Sequence, residues 1–421
     1  EMAQLTDRDG PDFAPTISPD GSKIAYLGFD DQKMGNHSSQ VYIMDRRSGD
    51  IRMLAGDLDR EIDSVQWAGS SSRLYIAYDD FGDKVISSLT VEGKIDVVTR
   101  DVSGVSIGRP YSSGSFSTAS NGAFAYTVGR SDRPADVGAG RGKQKTRRLT
   151  DLNADALDHK SVGESEEIRW KSSADDLEIQ GWIVKPPGFD PEKKYPLILE
   201  IHGGPFATYG PHFSTEVQLY AAAGYVVFYT NPRGSTSYGA DFANEIHHNY
   251  PGQDYDDLMS GVDAVIARGY IDEKNLFVTG GSGGGVLSAW IVGKTDRFAA
   301  AVVAKPVINW ASWALTADMS TFGTQYWFAD MPWENPEAYW ARSPLSLVGN
   351  VTTPTALLTG EQDHRTPITE SEQYYQALKL RKIDSALIRV PEASHGIAGR
   401  PSHLIAKVDN ILAWFARYRN E

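Results

Sequence analysis

Two patterns of apolar and polar positions divide the chain. Up to about residue 160, short apolar runs alternate with turn-forming residues. Lys23-Ile24-Ala25-Tyr26-Leu27 follows the turn Asp20-Gly21, and Gln40-Val41-Tyr42-Ile43-Met44-Asp45 comes next. Arg73-Leu74-Tyr75-Ile76-Ala77-Tyr78 follows Ser71-Ser72, and Ala123-Phe124-Ala125-Tyr126-Thr127 follows Asn121-Gly122. Runs of this length between turn residues predict strands. The turns recur roughly every 50 residues, the spacing of β-propeller blades. A second series, Leu5-Thr6, Leu54-Ala55, Val98-Thr99 and Leu149-Thr150, closes each unit. The pattern predicts three blades plus the last strand of a fourth. A closed propeller takes about four to eight blades. Three make a partial one, with the remaining blades in a missing segment or on another chain. A small open β domain is the plainer alternative.

From about residue 165 the pattern changes. Apolar runs of strand length recur at Leu197-Ile198-Leu199-Glu200-Ile201, Tyr225-Val226-Val227-Phe228-Tyr229, Leu276-Phe277-Val278-Thr279, Ala300-Ala301-Val302-Val303, Thr355-Ala356-Leu357-Leu358 and Ala386-Leu387-Ile388-Arg389-Val390. Strands this apolar are covered on both faces. Helical stretches lie between them, at 256–268, 371–381 and 404–419. Alternation of this kind predicts a mostly parallel sheet with helices on both faces. The expected organisation is an all-β domain over residues 1–160 and an α/β domain over 161–421.

Composition narrows the chemistry. The chain has 421 residues, a formal net charge of −14 and no cysteine. The acidic balance argues against nucleic acid as a partner, since phosphate binding needs a basic face. It also fits poorly with an anionic membrane surface, and no apolar run reaches the length of a membrane-spanning helix. Thiolate catalysis and cysteine-ligated zinc are excluded. The opening Glu1-Met2-Ala3-Gln4-Leu5-Thr6-Asp7 lacks a signal pattern and does not look like a natural start. The compartment stays open, cytoplasmic or exported after removal of a leader.

Two segments match G-x-S-x-G: Gly280-Gly281-Ser282-Gly283-Gly284 and Gly104-Val105-Ser106-Ile107-Gly108. A nucleophile elbow needs a strand, a sharp turn and then a helix. Ser282 follows a predicted strand and precedes the helix-like Val286-Leu287-Ser288-Ala289-Trp290-Ile291-Val292. Ser106 runs into the loop-like Arg109-Pro110-Tyr111-Ser112-Ser113-Gly114. Context therefore selects Ser282. A serine hydroxyl needs a base and a group to orient that base, in the chain order Ser, acid, His. Three histidines follow Ser282: His364, His395 and His403. His395 lies just after the strand ending at Val390, where such a base belongs. His403 opens the last helix, and His364 adjoins the acid. Asp363, after the strand at 355–359, is the acid; Glu361 is the runner-up. The oxyanion of acyl transfer calls for two backbone N–H groups. Gly283 supplies one, and the loop His202-Gly203-Gly204-Pro205 supplies the other.

Taken together these residues resemble the prolyl oligopeptidase family of serine peptidases, in particular its acylaminoacyl-peptidase and dipeptidyl-peptidase-like bacterial branch. The resemblance spans nearly the whole chain. It rests on His202-Gly203-Gly204-Pro205, on Asn231-Pro232-Arg233-Gly234-Ser235-Thr236-Ser237-Tyr238-Gly239, and on the segments 252–257, 280–284, Ser343-Pro344-Leu345, 360–367 and Ser394-His395-Gly396. It implies an α/β-hydrolase fold preceded by a propeller, cleavage of short peptides, and Gly204 and Gly283 as oxyanion donors. It implies no metal or cofactor. Where the family often has tyrosine after the nucleophile, this chain has Gly283, and residues 321–328 lack an arginine found in some relatives. A carboxylesterase for small esters and a non-catalytic propeller module are the competing readings. A homo-oligomer is left open. His247-His248 with Asp254 offers no third metal ligand at suitable spacing, and the basic stretch 141–148 fits a solvated hairpin. Of Phe322, Tyr326, Trp327, Trp333 and Trp340, most are expected in the core or a lid, with one or two lining an apolar pocket.

Overall fold

The computed structural model describes residues 2–420 apart from Val105, Ile107 and Lys143. Val105 and Ile107 belong to the second serine motif, so that part of the motif lies outside the described residues. The chain divides into two compact units. One comprises residues 1–160 with two later segments, 210–214 and 236–244. The other holds 161–209, 215–235 and 245–421, so it is not an unbroken run.

The first unit is built from three antiparallel four-stranded groups. The first is Asp12–Ile17, Lys23–Gly28, Gln40–Asp45 and Ile51–Leu54. The second runs from Ile62–Ser70 to Ile95–Val102, and the third from Phe116–Thr118 to Arg147–Arg148. The turns at Asp20-Gly21, Ser71-Ser72 and Asn121-Gly122 each join the first two strands of a group. In the first, Asp20 Oδ1 accepts the Ser22 N–H (2.9 Å) and the Ser18 and Ser22 hydroxyls, an Asx turn. Apolar residues pack between successive groups. Leu27, Val41 and Ile43 meet Val65, Leu74 and Ile76, and Tyr75, Ala77 and Ile86 meet Phe124 and Tyr126. One departure concerns Leu5-Thr6. Among the described residues no strand precedes Asp12, so the last strand of a fourth group is not formed. Leu5 is exposed.

The second unit carries an eight-stranded sheet. Its strands are β1 (Glu164–Lys171), β2 (Glu178–Lys185), β3 (Tyr195–Ile201), β4 (Val226–Asn231), β5 (Ile271–Gly281), β6 (Ala300–Ala304), β7 (Thr355–Gly360) and β8 (Ser385–Val390). Their order across the sheet is β1-β2-β4-β3-β5-β6-β7-β8. β1 and β2 pair antiparallel, as do β2 and β4; the rest are parallel. β4, β6 and β7 are buried along their whole length. That burial explains their unbroken apolar runs, since helices cover both faces. These helices include α1 (Thr215–Ala222), α2 (Asp254–Ile266), α3 (Gly283–Lys294), α4 (Trp310–Thr316), α5 (Ile368–Leu380) and α6 (Pro401–Arg417). α3 is buried on every side except at Lys294, so no amphipathic stripe marks it. A buried pair fastens α6 to α1: Lys407 Nζ reaches Glu216 at 2.5 and 2.7 Å.

Register sets the functional edge. Ile201 of β3 pairs with Gly280 of β5, and Gly281 pairs with Ala304 of β6. Ala304 pairs with Leu358 of β7, and Gly360 pairs with Val390 of β8. The carboxyl ends of five adjacent strands thus align. Ligands in open α/β sheets bind at this edge.

Candidate active site

β5 ends at Gly281 and α3 begins at Gly283, so Ser282 forms the whole turn between them. Its backbone takes φ 61° and ψ −122°, a region that side-chain-bearing residues rarely occupy and that clusters at functional sites. The flanking glycines are required by close approach. A Cβ on Gly280 would lie 2.5 Å from the Gly284 carbonyl oxygen, and one on Gly284 would lie 2.1 Å from that of Ile201. The Ser282 N–H is held by the carbonyls of Ala304 (3.1 Å) and Lys305 (3.2 Å). As the first residue of a helix, Gly283 has no intrahelical acceptor for its N–H. A Cβ there would sit 3.0 Å from the Gly204 carbonyl group, so the two glycine segments are in contact. Gly204 has φ +116°, a conformation that favours glycine.

On the loop after β7, Asp363 is buried. Its Oδ1 accepts the N–H groups of Arg365 (3.0 Å) and Thr366 (2.9 Å). Its Oδ2 accepts the His395 Nδ1–H (2.8 Å) and shares the single Thr366 hydroxyl proton (3.1 Å) with the Lys305 carbonyl (3.0 Å). Burial pushes the Asp363 carboxyl up, but the bonds from His395 and Thr366 outweigh it, and the group sits below the usual carboxylate range. Burial lowers the His395 imidazole; Asp363 opposes this, Lys305 and Arg365 reinforce it, and the net shift is downward. The ring is therefore neutral around neutral pH, as a general base must be. The structure joins Asp363 and His395 directly. Ser282 lies beside them through the Lys305 carbonyl, which takes both the Ser282 N–H and the Thr366 hydroxyl (3.0 Å). Among the described residues no hydrogen bond joins Ser282 Oγ to His395, a bond that often tightens only when substrate is bound.

The other sequence candidates fall elsewhere. Glu361 turns outward to Arg389 (3.1 Å). His403 lies in the first turn of α6, and His364 is exposed. The rings of His247 and His248 stack 3.8 Å apart, and among the described residues no three potential metal ligands cluster. Trp327 lines a cavity of about 220 Å³ with Tyr250, Phe328, Tyr339 and Arg342. Trp333 and Trp340 are exposed, so these two belong to neither core nor pocket.

The Asn231-Pro232-Arg233-Gly234-Ser235 segment braces the site rather than entering it. Arg233 is buried and clamps Asp257 through Nε (3.0 Å) and Nη2 (2.9 Å), with Asp175 and Gln253 on its outer side. The Ser235 hydroxyl lies 2.9 Å from His202 Nε2 and fixes the loop that carries Gly204. Sequence reasoning passed over Thr366 and Tyr250. Thr366 bonds Asp363, and Tyr250 donates its hydroxyl to the Gly283 carbonyl (2.9 Å). Position was the one available signal for Thr366, three residues after the acid.

A strand-elbow-helix serine beside a buried aspartate bonded to a half-buried histidine, at the carboxyl edge of a mostly parallel sheet, is the arrangement of the α/β-hydrolase fold. The sequence profile of the prolyl oligopeptidase family matches residues 211–421, and the chain belongs to that family. It is 36 % identical over 382 residues to an uncharacterized peptidase of Bacillus subtilis, covering 90 % of this chain and 56 % of that one. It is 26 % identical to dipeptidyl-peptidase 5 of Aspergillus fumigatus over 97 % of this chain and 57 % of the other. Among solved structures it matches the acylaminoacyl peptidase of Pyrococcus horikoshii, with TM-score 0.83 and 26 % identity over 96 % of this chain and 63 % of that one. The chain therefore spans a little over half the length of its relatives. Like that structure, it places an all-β region before the α/β-hydrolase domain.

Proposed function

We propose that the chain carries the catalytic centre of a serine peptidase that cleaves short peptides through an acyl-enzyme, in the manner of acylaminoacyl- or dipeptidyl-peptidases. The all-β region is read as part of a propeller. One observation carries the reading: a serine in strained elbow geometry shares a sheet edge with a hydrogen-bonded Asp–His pair. In the first step Ser282 Oγ attacks the substrate carbonyl carbon while His395 Nε2 takes the hydroxyl proton. The new oxyanion is met by the N–H groups of Gly204 and Gly283. Asp363 holds the Nδ1–H and stabilises the imidazolium. Collapse breaks the C–N bond, and His395 returns its proton to the leaving amine. Water then attacks the acyl-enzyme with His395 as base, releasing the acid and restoring Ser282.

Family membership and the relatives named above support peptides as substrates. The test is replacement Ser282→Ala. Turnover and covalent labelling by a fluorophosphonate should both disappear. Labelling that persists, or that maps to Ser106, refutes the assignment. Comparing an acetylated peptide anilide, a free-amine dipeptide anilide and a butyrate ester then sorts acyl-peptide, dipeptidyl and esterase activity. A folded protein that never labels favours the non-catalytic module.

A further inference from the structure

Lys305, the residue immediately after β6, touches all three loops of the candidate triad. Its carbonyl accepts the N–H of Ser282 (3.2 Å) and the hydroxyl of Thr366 (3.0 Å) on the acid loop. Its side chain turns the other way, and Nζ donates to the backbone carbonyl of His395 (2.7 Å). To do both, the backbone takes φ +41°, where side-chain-bearing residues rarely sit. A glycine would meet the backbone demand alone; Lys305 also extends a long cationic side chain to the histidine loop. That loop has few regular anchors, since His395 lies between the end of β8 and a short 3-10 turn at Ile397–Gly399.

We propose that Lys305 is a positioning residue, whose ammonium ties the backbone of His395 to the strand end that also holds Ser282 and so sets the base against the nucleophile. This rests on the triad reading above and adds a fourth residue to it. The ammonium has a second effect. His395 faces Asp363 and Arg365 from the loop after β7 and Lys305 from the end of β6, while its own loop carries the exposed Glu392–Arg400 pair. Of these, Lys305 and Arg365 disfavour the imidazolium, with Lys305 the stronger of the two. A cation held here keeps the ring neutral at lower pH.

The test is the rate of fluorophosphonate labelling of Ser282 across pH 5–9, on this chain and on Lys305 variants with thermal melts to confirm folding. Lys305→Met should lower the labelling rate at pH 7 by about tenfold or more, as small displacements of a catalytic group do. Its acidic limb should move to higher pH. Lys305→Arg, which keeps the cation and its donors, should hold the parental limb and stay within about threefold of the parental rate. Should Lys305→Met not fold, Lys305→Gln keeps a donor without charge and should still raise the limb. A parental rate and limb in Lys305→Met, an unmoved limb in Lys305→Gln, or an arginine variant as impaired as the methionine one overturns the inference. Labelling that survives Ser282→Ala sinks the triad reading itself, which separates that failure from this one.

Discussion

The substitution Asp363→Asn tests the triad with almost no change of volume, and the structure dictates which way the new amide must point. Oδ1 of Asp363 accepts two backbone N–H groups, from Arg365 and Thr366. An NH2 placed there would face two donors with no acceptor, so the amide oxygen takes that position. The NH2 is left in the place of Oδ2, 2.8 Å from His395 Nδ1. It donates to Nδ1 and selects the tautomer protonated at Nε2. That ring cannot accept the Ser282 proton. In serine-protease triads the equivalent change lowers kcat by about 10⁴, or about 5 kcal/mol of transition-state stabilisation at 1.36 kcal/mol per decade.

The assay is steady-state hydrolysis of whichever anilide the parent cleaves, with fluorophosphonate labelling as a substrate-independent measure. Near-UV circular dichroism verifies that the site still packs. Glu361→Gln is the control, because Glu361 pairs outward with Arg389 and its loss should leave the rate within about twofold, as for an exposed ion pair. Retention of more than a tenth of parental turnover by Asp363→Asn would refute the orientation argument. A loss of comparable size in Glu361→Gln would refute the choice of acid.

Three further outcomes are expected. The acidic limb of kcat/KM should fall below the ordinary imidazole range, since His395 must be neutral to act and its net shift is downward; the rate is lost as pH drops through that lowered value, and a limb above the ordinary range contradicts the site's electrostatics. Arg233→Met should destabilise the second unit by about 3–5 kcal/mol, because it leaves buried Asp257 without its cation, whereas Asp175 is partly exposed and contributes little. Urea titration followed by tryptophan emission reads this unit, as Trp67 alone of the ten tryptophans lies in the first unit; a shift under about 1 kcal/mol would show the clamp is dispensable. Asp254 is wholly buried, and burial raises its carboxyl to about 7 from 3.8. A raised acid favours the folded state at low pH and loses that advantage as pH climbs from the unfolded to the folded value, here by about 4 kcal/mol. Asp254→Asn should therefore gain stability relative to the parent between pH 4 and pH 8, and a difference that is flat with pH would rule this out.

How far the sequence revealed this arrangement depends on the kind of force involved. The sheet was legible because β4, β6 and β7 are buried along their whole length, so each carries a run of consecutive apolar side chains. Strand ends were less so. β5 begins at Ile271, five residues before the apolar run at Leu276, because its first turn of chain is half exposed and carries Asp272, Glu273 and Lys274. Ser282 and His395 could be proposed because a chemical pattern coincided with a strand end. Leu5-Thr6 could not, because a two-residue marker carries no information about whether a neighbouring strand is there to pair with it. Arg233 illustrates a different limit. Its segment stood out as part of a family resemblance, but the residue type and its neighbours did not show that its guanidinium is committed to Asp257 and Asp175.

Lys305 shows the limit most plainly. In sequence it is one charged residue after an apolar run, indistinguishable from a solvated strand end. Its importance depends on two directions at once: the backbone carbonyl turned toward Ser282 and Thr366, and the side chain toward His395. Both follow from a left-handed backbone angle at a single residue, and nothing in the residue type favours that angle. The neighbouring strands impose it. Lys305 donates its own N–H to the Leu358 carbonyl of β7 (2.7 Å) while accepting from the elbow after β5. The proposed nucleophile could be singled out by pattern because its chemistry is carried by a residue type. The device that aligns base with nucleophile is carried by register between β5, β6 and β7, and register becomes visible only once the strands are paired.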